Sequence, residues 1–262
     1  MGPGLWYTKN NIRQSRRMTA MEENRALLQR WIDESSRIVF FGGAGVSTES
    51  GIPDFRSVDG LYNQQYDYPP ETILSHTFYE ARPEEFFRFY RNKMLFPDAQ
   101  PNAAHKKLAE LEQAGKLTAM VTQNIDGLHQ KAGSKNVLEL HGSVLRNYCE
   151  KCGKFFSLED VMASSGVPRC DKCGGRVKPD VVLYEEALDQ QILTAALEAI
   201  QKADMLIIGG TSLAVYPAAS LVNYYRGNKL VLINKSPTPY DRNADLVIAA
   251  PIGQVLGGIT VK

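Results

Sequence analysis

The chain lacks the features that mark membrane, secreted and polyelectrolyte proteins. No apolar run approaches the roughly 18 residues that cross a bilayer, so no transmembrane segment and no membrane partner is expected. Neither charge sign is in excess: 30 Lys and Arg face 29 Asp and Glu, a formal net charge of +1. That balance removes the global electrostatic case for a nucleic-acid partner. The N-terminus has no apolar core of a secretory leader. Its first stretch, MGPGLWYTKNNIRQSRR, is basic and aperiodic, with three Arg and no acid before Glu22. We read residues 1–20 as an extension outside the fold, the folded chain beginning near Met18 or Met21. A mitochondrial-type presequence is the sharper alternative, but the stretch is short and weakly amphipathic for one. There is no internal repeat and no low-complexity tract. What remains is an ordinary globular composition, 44% hydrophobic and 23% charged over 262 residues. That is enough for one large domain, or for a domain with a small satellite. A cytoplasmic monomer is the expectation.

Six short apolar runs are present: Ile38–Phe41, Thr118–Val121, Val137–Leu140, Met205–Ile208, Leu230–Ile233 and Leu246–Ala249. They are continuous rather than alternating, which predicts strands buried on both faces. Helical stripes lie between them, at Leu27, Leu28, Trp31 and Ile32, and at Ile192, Leu193, Ala196, Leu197 and Ile200. A third carries Ala104, Leu108 and Leu111, with Asn102 placed to cap it. The alternation predicts an α/β fold with a doubly wound parallel sheet. Ligands of such sheets bind at the carboxyl ends of the strands. Two stretches break the pattern and are read as insertions forming a smaller lobe: 58–100, rich in Tyr, Phe and Pro, and 148–180, which holds all the cysteines. Residues 21–57, 101–147 and 181–262 then make up the large domain.

The most informative stretch is RIVFFGGAGVSTESGIPDFRS (37–57). A strand that ends in glycines leaves bare backbone able to close on a phosphate. The dehydrogenase pattern G-x-G-x-x-G is nonetheless missing. Gly43 and Gly45 fit, but Thr48 stands where the third glycine belongs. This is a dinucleotide-type loop of another pattern.

The cysteines form Cys149-x2-Cys152 and Cys170-x2-Cys173, with 17 residues between the pairs. That spacing matches a four-cysteine zinc site. Four thiolates close the coordination sphere, so the metal would be structural. Two disulfides are the plainer alternative and need an oxidising compartment. His141, at the end of an apolar run, faces the predicted crevice and suits a general base. His105 and His129 fall on predicted helices, where hydrogen bonding or solvent exposure is the default. Gln123, Asn124 and Asp126 follow another strand, as do Thr211, Ser212 and Asn234. Each alone can be a cap or turn residue. Their shared placement argues for ligand contact.

Taken together, GAGVSTESGIPDFRS (43–57), QNIDGLH (123–129), HG (141–142), the two CxxC pairs, GTSLAVYPAA (210–219) and Asn234 resemble the sirtuins, the NAD-dependent protein deacylases. The resemblance runs over about residues 20–250. It implies a Rossmann-like sheet domain and a smaller lobe made of a helical insertion and a zinc-binding module. NAD would lie between them, with an acylated protein lysine entering from the opposite side. The acyl oxygen would attack the ribose carbon that bears nicotinamide. His141 would then deprotonate a ribose hydroxyl, giving free lysine, nicotinamide and O-acyl-ADP-ribose. Phe55, Asn124 and Asp126 match residues that shield and place the reacting groups. The implied NAD contacts are Gly43, Ala44, Gly45, Thr48, Asp54, Phe55 and Arg56 in the first loop. Gln123, Asn124, Ile125, Asp126 and His141 continue the set, and Gly210, Thr211, Ser212, Asn234 and Ile252 complete it. Cys149, Cys152, Cys170 and Cys173 would hold zinc. Val182, Leu183, Tyr184 and Glu186 match the segment that pairs with substrate backbone.

Two departures bear on substrate choice. The family's V-V-F-F-G-E reads VVLYEE here, so Glu185 replaces a glycine. The desuccinylating branch carries Tyr-x-x-Arg, and the equivalent here is Tyr90-Arg91-Asn92-Lys93. Lysine supplies charge but no bidentate fork. Neutral acyl groups, acetyl first, are therefore expected. ADP-ribosyl transfer to protein is the alternative activity, since it would use the same NAD residues. A non-catalytic binding module is a third reading, with the zinc segment as its contact surface.

Overall fold

The computed structural model describes residues 20–55 and 67–262. The expected N-terminal extension, the contact assigned to Arg56 and the start of the helical insertion lie outside the described residues. A helix over residues 20–34, α1, leads into β1 (Ile38–Gly42). Then come α2 (Pro70–Ile73), α3 (His76–Ala81), α4 (Pro83–Lys93), α5 (Ala103–Gln113) and β2 (Leu117–Thr122). They are followed by α6 (Leu128–Lys131), β3 (Val137–Glu139), β4 (Gly142–Cys149), β5 (Phe155–Ser157), α7 (Leu158–Ala163) and β6 (Val177–Val181). The order closes with α8 (Gln190–Lys202), β7 (Met205–Gly209), β8 (Leu230–Ile233), β9 (Leu246–Ile248) and α9 (Ile252–Gly257).

The six apolar runs all form strands of one parallel sheet, in the order β3-β2-β1-β7-β8-β9. Both faces are covered, which is why the runs are continuous. Ile38 and Phe40 pack with Leu28 and Ile32 of α1, Leu108 and Leu111 of α5, and Val255 and Leu256 of α9. Val39 and Phe41 point the other way, to Ala196 and Ile200 of α8 and to Leu221 and Val222. Asn102 caps α5 as expected, its Oδ1 accepting from the Ala104 N–H at 2.9 Å. Strand order reverses at β1, which has β2 on one side and β7 on the other. Such a reversal opens a crevice at the strands' carboxyl ends.

A second, antiparallel sheet has the order β5-β4-β6. It begins at Gly142, before the cysteine-bearing stretch, because β4 pairs with β6 over most of its length. Gly142 has φ +73, and a Cβ there would collide with the Asp180 carbonyl. The small lobe's core is aromatic: Tyr79, Phe86, Phe87 and Tyr90 pack edge-on and stacked, against Val144, Leu158 and Val181.

His105 and His129 do not reach solvent; they are 0% and 1% exposed, with ring centroids 4.8 Å apart. His105 Nδ1 accepts from the Asn102 N–H in a capping box, while both ring nitrogens of His129 are buried without a partner among the described residues. Burial holds His105 down to about 4; burial, then the neighbouring His105, hold His129 down to about 3. Both values lie below that of an unfolded histidine, so below pH ~6.5 the unfolded chain binds more protons than the native one. Stability is therefore present above that pH and lost as pH falls. At pH 5 the loss is about 2 kcal/mol for each ring. We expect the melting temperature to drop steeply between pH 6.5 and 5, and His129→Phe to flatten that drop. An equal slope in wild type and variant would contradict this.

Candidate active site

The loop after β1 and the loop after β7 meet at the reversal point. The Gly43 N–H donates to Gly209 O at 3.2 Å, and the Gly45 N–H donates to Gly210 O at 2.8 Å. A Cβ on Gly45 would sit 2.8 Å from that same oxygen. Gly43 and Gly45 thus serve close loop packing, and their amides are already engaged. The chain then turns twice in 3-10 geometry, Ala44–Val46 and Thr48–Ser50. Asn102 ties this loop to α5, its Nδ2 donating to Val46 O at 2.7 Å and to Ser50 Oγ at 3.0 Å.

A cavity of about 730 Å³ opens here. Its volume is in the range of small-molecule sites. From the first loop it is lined by Ala44, Gly45, Asp54 and Phe55. After β2 come Gln123, Asn124, Ile125 and Asp126, then His141. The far wall holds Gly210, Thr211, Ser212 and Asn234, and the small lobe contributes Val182, Leu183, Tyr184, Glu185 and Glu186. Residues from six separate stretches of sequence therefore share one space. Three expected contacts do not line it. Gly43 is spent on packing. Thr48 turns its Oγ1 back to Gly45 O at 3.0 Å. Ile252 is 3% exposed and belongs to the core beside Gly209.

His141 Nδ1 lies 3.0 Å from Gln123 O. A carbonyl only accepts, so Nδ1 carries the proton and Nε2 keeps a free lone pair. Burial lowers the ring's pKa below its usual value, against a smaller upward pull from the Gln123 hydrogen bond. The neutral ring, able to take a proton, is the resting form at pH 7.

Ser47, which sequence reasoning did not single out, organises the floor. It is 1% exposed. Its Oγ donates to Asp126 Oδ2 at 2.6 Å and accepts from Asn124 Nδ2 at 3.1 Å. Asp126 Oδ1 accepts from the Leu128 N–H at 2.9 Å. Burial raises the Asp126 pKa, and the Ser47 and Leu128 bonds pull it back. Asn124 Oδ1 has no partner among the described residues. A hydroxyl two residues after the glycine loop was the available signal for Ser47.

The four cysteines converge away from the cavity. Their sulfurs lie within 4.8 Å of one another, with Cys149–Cys173 at 3.4 Å and Cys152–Cys170 at 3.7 Å. No pair is at the ~2.05 Å of a disulfide, while a tetrahedral Zn–S₄ centre with ~2.3 Å bonds sets sulfurs about 3.8 Å apart. Gly153 and Gly174, at φ +68 and +70, close the two turns. Burial pushes the Cys149 thiol up, but backbone N–H groups of Cys152 and Lys151 outweigh it and bring it down to about 7.

A doubly wound parallel sheet with a crevice at its reversal point, and a smaller lobe carrying a four-cysteine knuckle, place the chain among α/β proteins of the Rossmann-like class. The Sir2 family model matches residues 43–217, and the chain belongs to that family. It is 65% identical over 232 residues to an NAD-dependent protein deacetylase of Clostridium acetobutylicum, covering 87% of this chain and 95% of that protein. An NAD-dependent protein deacetylase of Clostridium perfringens is 61% identical over 242 residues, covering 91% and 99%. Among solved structures, a Sir2 with a p53 peptide and NAD+ superposes with TM-score 0.77 at 40% identity, covering 87% of this chain and 93% of that one. A Sir2 with a deacetylated p53 peptide and 3′-O-acetyl-ADP-ribose reaches 0.81 at 39% identity, covering 88% and 95%.

Proposed function

We propose that this chain removes acetyl groups from lysine side chains of proteins, consuming NAD and releasing nicotinamide and O-acetyl-ADP-ribose. It is an NAD-dependent protein deacetylase. The observation that best supports the chemistry is the orientation of His141, with Nδ1–H committed to Gln123 and Nε2 left as the base. In this reading His141 takes the proton of a ribose hydroxyl. Asn124 offers its unpartnered Oδ1 to the reacting groups, and Ser47 and Asp126 keep that amide in place. Phe55 covers the ribose face, where developing positive charge needs water kept away. NAD lies against Ala44, Gly45, Asp54, Gln123, Ile125, Gly210, Thr211, Ser212 and Asn234, and Val182 to Glu186 receive the peptide backbone. Cys149, Cys152, Cys170 and Cys173 hold a zinc ion that supplies a closed, structural cross-link. Reduced cysteines of this kind favour a cytoplasmic setting.

The test is one reaction. An acetyl-lysine peptide and NAD should yield nicotinamide and O-acetyl-ADP-ribose in equal amounts by mass spectrometry; nicotinamide released with ADP-ribosylated protein in place of O-acetyl-ADP-ribose would reverse the assignment. For the acyl group, Tyr90 and Lys93 line the cavity, with the Tyr90 hydroxyl buried and unpartnered among the described residues. Without a guanidinium fork to hold a carboxylate, kcat/KM on a succinylated peptide should fall about tenfold or more below that on the acetylated one. Equal efficiencies would end the neutral-acyl reading.

A further inference from the structure

Glu185 stands in a conformation that a side chain resists. It has φ +77, in the left-handed region that favours glycine. The cause is a turn. The Glu186 N–H donates to Leu183 O at 3.1 Å, closing residues 183–186. Positive φ at the third residue alone is the type II pattern, where glycine is the usual occupant. A strained residue persists only where its surroundings over-determine it.

Here the surroundings come from the helical lobe. Glu185 Oε2 accepts from the Thr77 N–H at 2.9 Å and from Thr77 Oγ1 at 2.7 Å. Thr77 lies in the first turn of α3, where backbone N–H groups have no partner within the helix. Ser75 satisfies Phe78 there, and Glu185 satisfies Thr77. Tyr184 is held in the same direction, its N–H donating to Leu74 O and its C=O accepting from the His76 N–H, each at 3.0 Å. Glu186 draws the turn from its other side, accepting from the Leu183 N–H at 2.8 Å and pairing with His76 and Lys178. Within this arrangement the backbone N–H and C=O of Glu185 make no hydrogen bond among the described residues, and the residue lines the cavity.

We propose that the Thr77–Glu185 contact is a clasp that holds the peptide-receiving segment in its working shape, with Glu185 as a positioning residue that presents its free backbone groups to the substrate chain. The inference rests on the reading of Val182 to Glu186 as the substrate wall. If the clasp is released, Glu185 relaxes toward negative φ and its carbonyl turns away from the position the turn now gives it. The chain's departure from glycine at this position is thus matched by a second residue, and the pair should act as a unit.

The experiment uses the full chain, an acetyl-lysine peptide and NAD. Thr77→Val removes the hydroxyl donor and should raise peptide KM about fivefold, with kcat and the KM for NAD unchanged. Glu185→Ala should raise it about tenfold, and Glu185→Gln, which keeps an acceptor, should restore most of the loss. The double variant Thr77→Val/Glu185→Ala should match Glu185→Ala alone, as coupled partners do. Direct titration with a fluorescent acetyl-peptide should follow the same order. Wild-type peptide KM in both single variants would overturn the clasp and leave the deacetylase reading intact. So would a KM for NAD that rises as much as that for peptide. A wild-type chain with no turnover of the peptide would instead remove the deacetylase reading, and the clasp with it.

Discussion

Replacing His141 with alanine should lower kcat for peptide deacetylation by about a thousandfold, the scale of a lost general base. The reason is geometric. Gln123 O fixes the proton on Nδ1 and points the free Nε2 lone pair away from the strand end. Among the described residues lining the cavity no other imidazole is present to replace it. In the proposed scheme the base acts after nicotinamide has left, so the variant should still exchange labelled nicotinamide into NAD in the presence of acetyl-peptide. That split separates the loss of a proton acceptor from a collapsed site. The pH profile supplies a second check. Burial lowers the ring's pKa, so the active neutral form persists below pH 6.5. The acid limb of kcat/KM should lie below that value. A limb above pH 7, or full activity in the variant, would refute the assignment.

Loss of the zinc proposed at the four cysteines should have the largest effect on stability. Cys149 and Cys170 are 2% and 3% exposed and share a small core with Val161 and Val177. Apart from the cysteines, that core holds only Val161, Val177 and the partly buried Phe156, so the knuckle should depend on its metal. Structural zinc in small domains contributes roughly 10 kcal/mol or more of apparent binding energy. Cys170→Ser, or prolonged chelation, should therefore lower the melting temperature by about 10 °C or more. Peptide turnover should disappear with it, while NAD should still bind, since the parallel sheet has its own two apolar clusters. Zinc measured in the purified protein should equal the chain in molar amount. A metal-free protein with the same melting curve would rule the site out.

Much of this molecule could be read from its residues. All six apolar runs became strands, because burial on both faces imposes continuous hydrophobicity. The cysteines met because a CxxC knuckle is a local event that needs only two turns to pair. The glycine loop was found at the right place for a partly wrong reason: Gly43 and Gly45 fit against Gly209 and Gly210, and that contact spans more than half the chain. Thr48 and Ile252, expected from the resemblance as NAD contacts, do not line the cavity, since motif position says nothing about side-chain direction. Ser47 was missed since its role exists only once Asn124 and Asp126 arrive from another strand. The paired histidines were half legible: His105 does hydrogen-bond, in the α5 cap, but nothing in the sequence shows that the meeting of α5 and α6 buries both rings.

The place of β1 in the sheet carries a consequence for how the chain comes into being. Its neighbours are β2, which starts at Leu117, and β7, which starts at Met205. The first strand made is therefore one of the two central ones, yet one of its flanks stays open until most of the polypeptide has been synthesised. At ~5–20 residues per second, the chain spends roughly 8–30 s with Ile38–Gly42 unpaired on that side. Parallel pairing across such separations is slow to form. During translation the nascent sheet exposes a hydrophobic edge, and this interval is when a holding chaperone, or a slower codon run before Met205, would most affect the yield of folded protein.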